Sequence, residues 1–246
     1  MSDVFALWRW SYLWEDRMIF IKAFITTLEL AAGGLVLALL IGFTVGILST
    51  TSSRVVRVVS RIYVEIFRNI PLTLQIMFFY YGCIYSGFQI STLVVGIIGL
   101  GVCSGSFIAE IVRGGLNSVP RGQYEACYSQ GLTYWQAMRK VILPQTVRII
   151  LPALGTQLSW LVLDTSVLSV IAGGDLLYAT KNWSSNGTLS YGPAYLVCGV
   201  IFFLICYPIT RTARKYEKKL ALRQAAQNIQ KSGKKAHRWV FSKKYI

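Results

Sequence analysis

Asp164, Thr165 and Ser166 stand together well inside an apolar run that opens at Pro152, and they are the sharpest chemical signal in this chain. Asp164 lies about 18 Å of helix rise beyond Pro152, which puts it near the middle of a roughly 30 Å hydrocarbon layer. A carboxylate at that depth must be neutral, paired or solvated in a cavity, because hydrocarbon does not hold a bare charge cheaply. Gln157 shares its helical face, two turns earlier, and Gln75 is a further amide inside an apolar run. Two roles are open to these groups: lining a path for a polar solute, or tying helices together by hydrogen bonds. Other chemistry is poorly supplied. His237 is the only histidine, which leaves no His-based nucleophile and no Cys/His metal set. The five cysteines contain no C-x-x-C pair, and Cys198 and Cys206 would be about 12 Å apart on one helix, too far to bridge, so packing is their expected role. No G-x-x-x-x-G-K-[ST] loop occurs, since Gly233-Lys234-Lys235 lacks both the hydroxyl residue and the upstream glycine, so the chain itself is expected to bind no ATP and no other cofactor.

The elements that must hold these groups are membrane helices. Hydrophobic residues make up 54% of the 246 and charged residues 14%, and Leu30 to Ser53 carries no charge at all, a stretch long enough to span a bilayer. The spacing predicts an all-α integral membrane fold of about five transmembrane helices: Ile25–Leu48, Pro71–Ser86, Ser91–Val112, a fourth from Pro152 broken at Gly173-Gly174, and Tyr191–Ile209. The second is short by the twenty-residue standard. Gly42 and Gly46 predict a face for close helix contact, and Gly96, Gly99, Gly101 and Gly105 thin one side of the third span. Before the first span, Trp8, Trp10, Tyr12 and Trp14 favour the headgroup zone. Asp3, Glu15 and Asp16 replace the basic region of a cleavable signal peptide, so the first span is expected to stay. Arg54, Arg57, Arg61, Glu65 and Arg68 fall on one face of a helix along the interface. Glu110 and Arg113 can pair at the inner end of the third span, and Asp175 to Ser190 reads as an outer loop.

The net charge of +15 follows topology rather than nucleic acid, for which no aromatic and basic pattern is present. Intervals assigned inside hold four, five and twelve Lys plus Arg; those outside hold three and one. That asymmetry puts the amino end outside and the carboxyl end inside. Residues 1–210 form the membrane domain, and 211–246 a basic tail, helical to about Gln230 and loosening at Ser232-Gly233, whose charges face anionic lipid.

Between two spans, Ser118 to Pro152 has helical spacing rather than loop chemistry. Tyr124 to Gln130 suits one short helix, and Gly131 can take the positive φ of a helix end. Thr133 can cap a second helix carrying Trp135, Ala137 and Met138, which Pro144 should end. The prediction is a compact helical hairpin on the surface, a docking element.

Glu125-Ala126-Cys127, then Gly131 after three intervening residues and Val141-Ile142-Leu143-Pro144 after nine more, resembles the EAA loop of ABC importer permeases. Tyr63 to Leu72, Gly122-Gln123, Leu143-Pro144-Gln145 and Asp164-Thr165-Ser166 resemble the polar amino-acid branch, over roughly Leu28 to Tyr207. Three departures stand out: Cys127 in place of a second alanine, Ser106-Phe107 in place of Ala-Tyr, and Leu163 where lysine is common. The resemblance implies a permease subunit of the bacterial inner membrane, with a cytoplasmic ATPase dimer that holds ATP and magnesium, a second permease subunit, and an extracytoplasmic amino-acid-binding protein. It assigns Glu125, Ala126, Cys127, Gly131, Leu143 and Pro144 to ATPase coupling, and leaves Gln75, Gln157, Asp164, Thr165 and Ser166 to the translocation path or a gate. Two rival classes lack their signatures: a secondary transporter would show inverted repeats or paired intramembrane charges, and a membrane enzyme would show a catalytic group with its partner.

Overall fold

Small residues decide how the long helices meet. In the computed structural model, which describes residues 5–185 and 191–242, helix α2 (Arg17–Leu48) lies against helix α5 (Thr92–Ser118) along most of its length. A methyl group added at Gly46 would sit 2.7 Å from Val112 Cβ, and one at Gly101 would sit 2.7 Å from Leu37 Cβ. The predicted close face at Gly42 and Gly46 is therefore present, and it meets α5 through Ile108 and Val112.

The glycines of α5 do not thin one side only. Gly101 meets Leu37 of α2, Gly99 meets Ile76 of helix α4 (Leu72–Tyr85), and Gly96 meets both Leu30 and Leu168. They let neighbours approach from several directions, which makes α5 the central helix of the bundle and the most buried of the long ones.

Among the described residues, four helical runs are long and apolar enough to cross a membrane: Arg17–Leu48, Thr92–Ser118, Tyr134–Ile171 and Tyr191–Leu222. Helix α4 is equally apolar but has only 14 residues. It follows the amphipathic helix α3 (Arg54–Asn69) after a break at Ile70-Pro71, where Ile70 is extended because the proline ring disfavours a helical residue before it. Helix α1 (Leu7–Glu15) is short and carries Trp8, Trp10, Tyr12 and Trp14, and α2 begins at Arg17 rather than near Ile25, about two turns earlier than expected.

The core has three centres. The largest joins Ile108, Val112 and Leu116 of α5 to Met138, Ile142 and Ile150. A second, around Leu30, Ile76, Leu100 and Leu168, binds α4 to the bundle. The third gathers Phe20 and Ala23, Leu176 and Trp183, and Ala194 and Cys198 of the last helix, α10 (Tyr191–Ser242). That helix continues past Ser232-Gly233, where loosening was expected; a serine and a glycine lower helix propensity by about 1 kcal/mol or less each and do not compel a break.

Candidate functional site

The hairpin forms as its residues dictate. Helix α6 (Arg121–Ser129) starts just after Pro120 and ends in a complete Schellman turn: Gly131 has φ +75°, its N–H donates to the Tyr128 carbonyl at 2.9 Å, and the Leu132 N–H donates to the Cys127 carbonyl at 3.1 Å. Thr133 then opens helix α7 (Tyr134–Ala137) with a reciprocal cap. Its hydroxyl accepts from the Gln136 N–H at 3.4 Å, and its own N–H donates to Gln136 Oε1 at 2.9 Å. Glu125, Ala126 and Gly131 are exposed, whereas Cys127 is buried, which explains why a small residue stands there.

The hairpin is anchored from beneath. Met138 and Ile142 are buried against Leu116 and Val119, with Tyr124, Tyr134, Val141 and Leu143 packed around them. The Tyr124 hydroxyl donates to the Leu116 carbonyl at 3.4 Å, and Gln145 Nε2 reaches Gln123 Oε1 at 3.3 Å across the two arms. Burial pushes the Tyr124 hydroxyl pKa up, with Tyr134 and Tyr128 adding to the shift, so it stays neutral and available as a donor.

Pro144 does not end the second arm. A π-helical turn at Met138–Ile142 leads straight into helix α8 (Leu143–Asp164), with the Leu143 N–H donating to the Met138 carbonyl five residues back. The widened turn reroutes the carbonyls that the proline ring would otherwise strike, so the second hairpin arm and the long apolar helix are one continuous rod. Pro144 is exposed and Leu143 half-buried. Pro152 likewise lies inside α8 rather than at the start of a span.

At its other end this rod breaks. Asp164 closes α8, a 3-10 turn spans Thr165–Ile171, and the chain reverses through Ala172 (φ 55°) and Gly174 (φ +73°). Asp164 is half-buried, makes no hydrogen bond or ion pair among the described residues, and lies within Coulombic reach of Cys103 on α5. Cys103 in turn meets Gln75, whose Nε2 contacts the sulfur at 3.7 Å and donates to the carbonyls of Ile70 at 2.8 Å and Phe67 at 3.0 Å. The structure thus gathers Asp164, Cys103 and Gln75. Gln157 sits two turns away, half-buried; Thr165 and Ser166 bond back to the carbonyls of Val162 and Leu163, both at 2.7 Å. Cys103 was read from the sequence as packing, since only the fold brings α3, α4 and α8 to its side.

The segment after the break is not a plain loop. Asp175 is fully buried and caps helix α9 (Leu176–Trp183), its Oδ2 accepting from Leu177 N–H at 3.0 Å and Tyr178 N–H at 3.3 Å. The signal was legible: an aspartate followed by Leu176, Ala179 and Trp183 at helical spacing. Thr27 of α2 accepts the Leu176 N–H at 3.0 Å, and the Trp183 indole donates to Asp16 at 2.7 Å, so α9 is fastened to the amino-terminal end of α2. Residues 186–190 of the expected outer loop lie outside the described residues.

Long apolar helices, a capped hairpin continuous with one of them, and a polar break in that same helix define an all-helical integral membrane protein. The chain belongs to the family of binding-protein-dependent transport system inner membrane components, whose model matches residues 21–222. That family is a transport component of the bacterial inner membrane, not an enzyme. Among relatives, the probable glutamine ABC transporter permease protein GlnM of Bacillus subtilis (strain 168) is 34% identical over 210 residues, covering 85% of this chain and 97% of that one. The probable amino-acid permease protein YxeN of the same organism is 31% identical over 199 residues, covering 80% and 88%. A crystal structure of an amino acid ABC transporter with histidines matches with a TM-score of 0.76 at 29% identity, over 85% of this chain and 97% of that one. The resemblance carried by Glu125 to Pro144 is borne out at the level of the family and fold.

Proposed function

We propose that this chain is the permease subunit of an ATP-driven importer of polar amino acids, that it pairs with a second permease subunit, and that its hairpin seats in a cytoplasmic ATPase. The ATPase dimer holds ATP and magnesium, and an extracytoplasmic binding protein delivers the amino acid to the opposite face. The named functions of the relatives support this reading. One observation carries it: the exposed hairpin at Glu125 to Gly131 is rigidly joined, through the π turn, to the helix that breaks at Asp164. Movement of the hairpin by nucleotide closure is thereby transmitted along a single rod to the polar break, where Asp164, Gln157 and Ser166 border the path or its gate and Thr165 is buried behind them. Gln75 steadies the α3–α4 corner beside it.

Gly131→Val tests the coupling. A β-branched residue at positive φ costs on the order of 1 to 3 kcal/mol, so the Schellman turn should open while the membrane helices still insert. The expected result is loss of ATPase co-purification and of transport-linked ATP hydrolysis, at normal levels of permease in the membrane. Wild-type values for both would remove the docking role.

A further inference from the structure

The mechanism above leaves unused a polar cleft at the hairpin end of the bundle. It has a volume of about 390 Å³ and lies between the end of α2, the basic face of α3 and the last turns of α5. Four guanidiniums, of Arg57, Arg61, Arg68 and Arg113, line it together with two carboxylates, Glu65 and Glu110. Glu110 is already engaged by Arg113, whose Nε donates to Oε2 at 2.9 Å, and Glu65 accepts from Asn69 Nδ2 at 3.2 Å. Arg68 is also held, over the ring of Phe107 at 5.2 Å. The cleft therefore keeps an excess of positive charge in a fixed, concave arrangement, with Ser49, Thr50 and Asn117 adding polar groups to its wall.

Its depth and its surroundings identify what it would take. Glu110 lies about 27 Å of helix rise beyond Thr92, so the cleft opens just where a roughly 30 Å hydrocarbon layer gives way to headgroups. Helix α3 has three faces. Ser60 and Val64 are buried against the bundle, the arginines form a second stripe, and Val55, Val59, Ile62 and Ile66 form a third that is exposed. An exposed aliphatic stripe beside an arginine stripe matches a molecule that is apolar along its length and anionic at its head.

We propose that this cleft is a binding site for an anionic phospholipid, with the headgroup phosphate held by Arg61 and Arg68 and the acyl chains laid along Val55, Val59, Ile62 and Ile66. The recognised chemistry is a phosphate ester oxyanion, which a guanidinium fork meets with two parallel hydrogen bonds. Because α3 leads directly into α4 and the Gln75 corner, a lipid seated there would brace the helix pair that flanks Cys103 and Asp164.

The test is native mass spectrometry of the full-length permease, released from detergent after titration with phosphatidylglycerol, with phosphatidylcholine, or with free glycerol phosphate. Phosphatidylglycerol should be retained in preference to phosphatidylcholine. That preference should fall roughly fivefold in Arg61→Gln and roughly 25-fold in Arg61→Gln/Arg68→Gln, at about a fivefold loss per arginine near the headgroups. Arg214→Gln/Lys218→Gln, which removes the same charge from the exposed basic tail, where lipid is met by surface charge rather than in the cleft, should lower the preference by less than Arg61→Gln alone does. Equal retention of the two lipids, an equal loss in the α10 pair, or displacement of phosphatidylglycerol by equimolar glycerol phosphate would each overturn the proposal; the last would make the cleft a site for soluble phosphate. None of these readouts depends on the ATPase or on transport, so the lipid site and the importer reading fail separately.

Discussion

A carboxylate that ends a membrane helix without a partner is an unfinished interaction. Asp164 makes no hydrogen bond or ion pair among the described residues, while Thr165 and Ser166 beside it satisfy their hydroxyls on their own helix. Leu163, half-exposed, offers no positive charge where lysine is common in the family it resembles. The tie between helices that the sequence left open finds no partner among the described residues, and the solute-facing role gains accordingly. Asp164→Asn is therefore expected to lower uptake by roughly tenfold or more, the cost of losing one charge-assisted hydrogen bond. It should also shift preference among competing amino acids, with assembly and basal ATP hydrolysis intact in reconstituted vesicles. Uptake of every amino acid unchanged in Asp164→Asn, alongside failed assembly in Asp164→Ala, would make the residue a structural tie instead.

At the scale of the element, the hairpin owes its shape to two local devices and its stiffness to burial. The Schellman turn at Gly131 sets the reversal, and the capping box of Thr133 and Gln136 fixes the start of the second arm. Thr133→Ala should cost about 1 kcal/mol of local stability. Hydrogen exchange of the amides of residues 134–138 would report it as protection reduced by roughly fivefold, with exchange in α5 and α8 unchanged. Undiminished protection would mean that the packing of Tyr134 and Met138 alone holds the arm. The π turn matters as much, because without it Pro144 would separate the arm from the span and movement of the hairpin would dissipate in a loop.

For the whole molecule, the open question of sidedness turns on α4. Four long helices return the chain to its starting side, whereas a fifth crossing places the termini opposite each other. Helix α4 rises about 21 Å, short of the hydrocarbon thickness, but it packs through Ile76 into the same core as Leu30 and Leu100 of the long helices. Burial at that depth favours a crossing completed by the residues on either side. We propose, from the excess of basic residues in the intervals around α3, the hairpin and the tail, that those regions lie in the cytoplasm. A reporter fused after Ser232 should be cytoplasmic, and one inserted at Asn186 external. Both reporters on one side of the membrane would mean that α4 does not cross.

The sequence by itself determined the membrane class, the long helices, the hairpin with its glycine turn and threonine cap, and the pairing of Glu110 with Arg113, because each rests on periodicity or on contacts within one helical turn or one short turn of chain. It also carried enough spacing between Glu125 and Pro144 to mark the family. Only the tertiary structure decided that Pro144 and Pro152 lie within a continuous helix, because a proline's missing donor breaks a helix in isolation but is tolerated where packing and a widened turn compensate. It likewise decided how α9 is held, by Thr27 and Asp16 from the far end of the chain, and it set Gln75 against Cys103 with Asp164 within Coulombic reach. Those contacts join residues far apart in sequence, where local propensity is silent and the approach of helices through their glycines sets the outcome.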